Sequence, residues 1–336
     1  MKKVTKMVLV CLTMVAVAAP ALAHHSAAAF NTQQQTKVTG TVKEYRFRNP
    51  HVYMMLEVKN AAGETVAMEV EAGAASVLGP LGFTKDSVAV GDVVTISGNP
   101  GRSKPDTLML GRDLYKGDGT YYPLNISSKS VYTNKAETAT SIAGTWFSTG
   151  FGAINGAIGK APVTEQGMAA RKQGTDPKAT TQKDCIPIGA PALMFYPVAT
   201  TVTVQKDRVV FDVDWMDSVR TVYLDGRRHP PATETTYLGH SVGKWEGDTL
   251  VVETTNFKEH PMGLSNNLPS STQKKLIERF KVAPDGKNLL YSGTVEDPVY
   301  LAKPVDWAGQ WQYRPGMQHS NEKCDVEVAR KFLKDF

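Results

Sequence analysis

Residues 200–226 read TTVTVQKDRVVFDVDWMDSVRTVYLDG. Two β-type runs, 200–204 and 209–213, flank the polar turn Gln205-Lys206-Asp207-Arg208. A third, 219–224, runs into Asp225-Gly226, a dipeptide suited to a tight hairpin turn. The rhythm continues downstream. Residues 235–242 and 250–255 flank Trp245-Glu246-Gly247-Asp248, and 276–282 and 289–295 flank Pro284-Asp285-Gly286-Lys287. Hairpins with a turn signal every ten or so residues predict an up-and-down barrel or a sandwich.

The pattern upstream is also β. Residues 37–45 alternate, with Val38 and Val42 on one face, and 51–58 and 65–70 flank the turn Asn60-Ala61-Ala62-Gly63. A short helix is expected over 74–81, then strands over 93–98 and 108–114. Five short strands and one small helix fit a Greek-key barrel of the OB type, with a small sandwich as the alternative. Gly, Ser, Thr, Asn and Lys dominate residues 116–142, which read as a linker. The expected organisation is all-β: a signal segment 1–23, an OB-like domain 24–115, the linker, and a barrel domain 143–336.

Lys2, Lys3 and Lys6 precede an apolar run over 7–19, and Pro20 and Ala21-Leu22-Ala23 follow it. This is the pattern of a cleaved secretory signal, so a periplasmic or secreted protein is expected. Cys11 follows Val10, where a lipobox needs a small residue, and no later segment is apolar enough to cross a membrane. The formal charge of +5 falls to +2 without the three leader lysines, a total that does not favour nucleic acid as a partner. After cleavage only Cys185 and Cys324 remain, and two cysteines in an exported chain fit one disulfide. Two free thiols, or pairing with another chain, are the alternatives.

Three resemblances follow from motifs. Gly144-Thr145-Trp146 before a meander of hairpins resembles the opening of a lipocalin, which implies a lipocalin-like barrel. His24-His25-Ser26, Gly40-Thr41-Val42 and Asn49-Pro50-His51 resemble an N-terminal module of exported proteobacterial proteins. Asp225-Gly226-Arg227-Arg228-His229-Pro230 and the stretch 239–250, GHSVGKWEGDTL, resemble a second uncharacterised family. Neither of these families brings an activity.

Two constellations carry chemistry. Cleavage after Ala23 would make His24 the first residue. Its α-amine and imidazole, with His25 or His51, suit a copper brace. The other reading is a polar, frayed terminus, with His51 capping a strand. In the second half, Asp225, Arg227, Arg228, His229, His240, Glu246, Asp248 and Glu253 fall close together. On adjacent hairpins His229 and His240 can face each other, as acid and base near neutral pH, with Arg227 and Asp225 beside them. The structural alternative is that these are turn-forming residues and a packed strand histidine.

Other sites fit poorly. The Ser241 context lacks the spacing and setting of a nucleophile elbow, and glycines 150, 152, 156 and 159 lack the end of a phosphate loop. The leading expectation is therefore a small, largely apolar ligand held inside the second barrel, with His240 on the cavity wall and His229 or Arg227 at its rim. Any chemistry would be cofactor-independent isomerisation, elimination or hydration (a lyase or isomerase). Copper binding through His24 and a non-catalytic envelope interaction module are the rivals.

Overall fold

The computed structural model describes residues 29–131, 137–148, 150–173, 180–265 and 268–331. The signal segment, His24 and His25 lie outside these residues. Among the described residues no helix is long and apolar enough to cross a membrane.

The first unit contains β1 (Thr36–Arg46), β2 (Tyr53–Lys59), β3 (Thr65–Glu71), α1 (Ala75–Leu78), β4 (Val93–Pro100) and β5 (Leu108–Lys116). The strand order is β3-β2-β1-β4-β5, and a parallel β3–β5 pairing closes the barrel. With the helix between β3 and β4, this is the expected OB-like arrangement. Val42, Leu56, Val70 and Ile96 are fully buried along its axis. The unit does not stop at residue 115. β6 (Tyr121–Pro123) pairs with β5, and Leu124 is buried in the first core. The polar composition of 116–142 hid this short strand.

The second unit opens with β7 (Gly144–Ser148), α2 (Phe151–Gly159) and α3 (Glu165–Gln173). The glycine-rich stretch is thus a helix, with Ile154 and Ile158 buried one turn apart. Then follow β8 (Ala199–Val204), β9 (Arg208–Val213), β10 (Ser218–Tyr223), β11 (His240–Glu246), β12 (Thr249–Thr255), β13 (His260–Ser265), β14 (Leu268–Ser270), β15 (Lys275–Val282), β16 (Asn288–Glu296), β17 (Val305–Tyr313) and α4 (Val326–Arg330). Nine of these strands form a closed barrel in the order β10-β11-β12-β15-β16-β17-β7-β8-β9, while β13 and β14 pair apart from it. Gly144 opens β7 at φ +130, where a Cβ would meet the Tyr313 ring at 2.8 Å.

An odd number of strands cannot alternate in direction all the way round a closed barrel. One pair must be parallel, and here it is β10–β11, through Val222↔Ser241 and Tyr223↔Val242. A parallel pair needs a crossover rather than a tight turn. Residues 224–239 supply it, so Asp225-Gly226 does not close a hairpin and the strand expected over 235–242 begins only at His240. The β11–β12 turn is correspondingly tight. Glu246 pairs with Thr249, which leaves Gly247 and Asp248 to turn.

The barrel axis is filled with side chains. Phe211, Phe280, Tyr291 and Trp311 are fully buried and in ring contact, and Phe195 packs on Tyr291. A polar layer crosses the same interior. Arg220 donates from Nη1 to Glu278 Oε1 at 2.9 Å, from Nη2 to Thr254 Oγ1 at 2.7 Å and from Nε to Ser241 Oγ at 3.1 Å. Tyr291 donates its hydroxyl to Glu278 Oε1 at 2.7 Å.

Cys185 and Cys324 form the expected disulfide, with Cα atoms 5.8 Å apart and 139 residues between them in sequence. A loop of that size restricts the unfolded chain by about 5 kcal/mol in the entropy model. Near the bridge the C-terminal tail reaches the first barrel. Asn49 Nδ2 donates to Glu322 O at 2.6 Å, and Asp325 N donates to Asn49 O at 2.9 Å.

Glu278→Leu should strand a buried guanidinium and lower stability by about 3–5 kcal/mol, whereas Arg220→Met combined with Glu278→Leu should recover most of that loss. Urea unfolding of both variants checks this. A single variant as stable as the parent would show that the pair is not what keeps the interior polar layer in place.

Candidate functional site

The expected histidines do meet, on the outer face of the barrel rather than inside it. Side chains alternate along β11. Ser241 points inward to Arg220, so its neighbour His240 points outward. The crossover carries His229 over the same face. His229 Nδ1 and His240 Nδ1 are 3.0 Å apart. His229 Nε2 is buried beside Glu253 Oε1 at 3.3 Å, an electrostatic contact rather than an aligned hydrogen bond. Glu253 stands opposite Val242 on β12, and its Oε2 pairs with Lys275 Nζ at 2.5 Å.

The other side of His240 is aromatic. The Tyr223 ring stacks on it with centroids 5.3 Å apart, and the Arg227 guanidinium lies 3.7 Å from the Tyr223 centroid. Asp225 accepts from Arg227 Nε at 2.9 Å and from its backbone N–H at 3.2 Å. The Arg227 hydrogen bonds pull the Asp225 carboxyl down to about 2. Asp225 therefore shapes a turn and holds Arg227. The result is a row across the outer face: Arg227, Tyr223, His240, His229, Glu253 and Lys275. Glu246 and Asp248, grouped with these in the sequence, sit toward the far end of β11 on Arg279 and Lys281.

The crossover is clamped from below. Asn256, eight percent exposed and at φ +57, points Nδ2 at the carbonyls of Pro230, Pro231 and Glu234 at 3.2, 2.9 and 3.1 Å. Gly239 takes φ +71 where the crossover enters β11, and a Cβ there would lie 2.6 Å from Thr255 O. Both features fix where His229 lands.

The charges select a tautomer. A lone pair on His229 Nε2 would face the Glu253 carboxylate, so that nitrogen carries the proton. His229 Nδ1 then accepts from His240 Nδ1–H, which leaves His240 Nε2 as a free lone pair; this assignment follows from the network. Burial, then the neighbouring His229 and Arg227, hold the His240 pKa below the ordinary histidine value. Glu253 is lowered in turn, chiefly by its hydrogen bond to Lys275. A neutral imidazole with one nitrogen oriented and the other open can take a proton or bind an electrophile.

In the first barrel His51 lies between β1 and β2. Its Nδ1 is 3.3 Å from Ala72 O and 3.2 Å from Glu71 Oε1, and Glu71 is buried. Among the described residues no three His, Cys, Asp or Glu side chains gather as a metal site.

A family of unknown function, DUF6152, has a model that matches residues 11–108. That stretch takes in β1 to β4 with Asn49-Pro50-His51, under half of the chain, and leaves the His240 site outside it. No curated protein matches the chain.

Three contributors escaped the sequence reading. Tyr223 looked like a strand residue, Lys275 fell just before the strand expected over 276–282, and nothing local marks Asn256 as a clamp. Arg220 and Glu278 did carry a signal: each is in inward phase with apolar neighbours, Arg220 with Val222 and Glu278 with Leu276 and Phe280.

The His240 imidazole should titrate below the ordinary histidine value, and Arg227→Ala should move its midpoint upward. The unfolded chain then takes up this proton first, so the contribution of His240 to stability is lost as pH falls below about 6.5. Histidine NMR titration checks both shifts, and a midpoint at or above the ordinary value would contradict the burial and charge argument.

Proposed function

We propose that this is an exported protein whose second barrel performs cofactor-independent acid/base chemistry on a small, largely apolar molecule, with His240 Nε2 as the base. The observation that carries the reading is the 3.0 Å contact between His229 Nδ1 and His240 Nδ1, with Glu253 behind it. Glu253 fixes the His229 proton, His229 fixes the His240 ring, and the open nitrogen faces outward. Proton abstraction followed by isomerisation, elimination or hydration needs only such a base, an acid and an oriented substrate. Tyr223 is the adjoining acid in this reading, since its ring stacks on His240 and is held by Arg227. The filled barrel axis argues against an internal ligand, so the substrate meets His240 Nε2 from the outer face of the barrel.

The test uses 5-nitrobenzisoxazole, an apolar probe that opens when a base removes the proton on its isoxazole carbon, the C–H electron pair forms a nitrile and the N–O bond breaks to release a phenolate. The protein should accelerate that opening. His240→Ala should cut the protein-dependent rate by roughly 10²-fold or more with the fold intact. The rate should fall in acid as His240 takes up its proton. A rate indifferent to His240 would sink the proposal.

A second reading has its own support. With Nδ1 held near Ala72 O and Glu71, His51 offers Nε2 as a ligand, the way metal-binding histidines are oriented by a carbonyl or carboxylate. Together with the α-amine and imidazole of a mature His24 it would complete a copper site. Correctly processed protein should bind Cu(II) tightly by calorimetry, and one extra residue before His24 should abolish this, because the amine becomes an amide. Equal affinity with and without the extension would leave only adventitious histidine binding.

A further inference from the structure

The other end of β11 opens on a cavity of about 540 Å³. It lies where the β11–β12 and β15–β16 turns meet residues 138–142, at the mouth of the barrel. Five residues at about 3.3 Å each separate Trp245 from His240, so the mouth lies roughly 17 Å from the base and shares no residue with it.

Trp245 decides what this cavity is. It pairs with Leu250, whose side chain is fully buried, so both are on the inward face. Beyond the last filled layer that face emerges into the mouth, and Trp245 is 41% exposed. The other four tryptophans are at most 6% exposed. An indole left half in water at the rim of a pocket is a surface for a ligand with a flat apolar face.

The rest of the wall defines that ligand. Val282 and Pro284 continue the apolar side, and Thr138, Thr140, Ser141, Asp248 and Asp285 supply oxygens. No cationic side chain lines the cavity among the described residues, so an anion has no partner there. Of the two carboxylates, Asp248 is neutralised by a lysine and Asp285 is held by a backbone amide. Asp248 pairs with Lys281 at 3.1 Å, and Asp285 Oδ1 accepts from Lys287 N at 2.9 Å. What remains is an acceptor-rich wall, with one ionised carboxylate held in place, beside an indole, suited to a molecule with one C–H face and several hydroxyl donors. The wall is also preformed. Ala139 N donates to Gly286 O at 2.8 Å, and Gly286 sits at φ +69 with Thr138 against it.

We infer that the barrel mouth at Trp245 binds a neutral pyranose sugar, stacked on the indole with its hydroxyls donating to Asp248, Asp285 and the 138–142 segment. The volume is within the range of small-ligand sites and takes a short oligosaccharide end better than a large polymer surface. Because the remaining tryptophans are buried, quenching of tryptophan emission by acrylamide reports on this one residue.

Maltose, cellobiose and N,N′-diacetylchitobiose are the probes, titrated into the full protein with benzyltrimethylammonium for comparison. At least one disaccharide should change tryptophan emission saturably and protect it from acrylamide. By calorimetry Trp245→Ala should weaken that binding roughly 10-fold or more. Trp245→Phe keeps an aromatic face, so it should retain calorimetric binding while losing the emission change. A response to none of the sugars, a response that survives Trp245→Ala, or a saturable response to the ammonium probe alone would each overturn the assignment. None of these results bears on His240, and loss of the His240-dependent rate would leave the sugar site standing.

Discussion

A closed barrel of nine strands has to contain one parallel pair, and much of the second unit follows from where that pair falls. Placed between β10 and β11, it rules out a two-residue hairpin and requires a crossover. The crossover cannot thread the filled interior, so it lies on the outside, and it brings His229 against the outward-facing His240. The same segment sets Arg227 on Tyr223, which stacks on the opposite side of His240. Two strands in tight antiparallel connection would have put Arg227 and His229 at a turn tip, away from any strand histidine. The candidate site is thus a consequence of strand parity.

The interior explains why chemistry moves outward. A ligand inside this barrel would have to displace the ring contacts of Phe211, Phe280, Tyr291 and Trp311, or break the Arg220–Glu278 layer. A buried ion pair of this kind is a weak source of net stability, because desolvation offsets most of the attraction. It is demanding in geometry, however, since every polar atom in the layer needs its partner. The guanidinium joins β10, β11, β12 and β15 through Ser241, Thr254 and Glu278, that is, the parallel pair and the next two strands round the barrel. We read this layer as what fixes the register of the shortest pairing in the barrel, where backbone hydrogen bonds are fewest.

Much of this fold was legible in the sequence. Period-two alternation and turn chemistry place β1 to β5, β8 to β10, β12, β15 and β16 to within a few residues, and the cysteine count gives the disulfide. Strand parity was not legible, because no local pattern counts strands round a barrel. Hence Asp225-Gly226 reads as a hairpin turn, and β11 is expected five residues early. The meeting of His229 and His240 is expected across adjacent hairpins, whereas His229 reaches it from the crossover, outside any strand. Their side of the sheet could not be read, since one residue of register exchanges inside and outside. Ser241, in phase with Gly243 rather than with His240, was the available clue. The clamp by Asn256 depends on a left-handed backbone and three carbonyls from a distant loop, none of which a linear reading exposes.

The two barrels are held by more than their linker, and the Asn49-Pro50-His51 motif is where this shows. Asn49 is buried and uses both ends of its amide. Oδ1 accepts from the backbone and hydroxyl of Ser76 at 3.1 and 3.0 Å, while Nδ2 donates to Glu322 O in the tail. Two residues on, Cys324 bonds to Cys185 of the second unit, and Arg330 pairs with Asp184 beside it. The tail leaves the second barrel by way of Ser320, which donates to Asp214, and its last described residue, Lys331, lies over the Tyr53 ring and on Glu69 of the first. A buried asparagine satisfied from both sides cannot lose one partner without stranding the other, so the helix start at Ser76 and the tail at Glu322 are set together. The motif therefore joins local order in the first barrel to the placement of the tail, and the disulfide carries that placement into the second barrel. His51 stands at this junction with its Nδ1 already held, which is why its open nitrogen has a fixed direction.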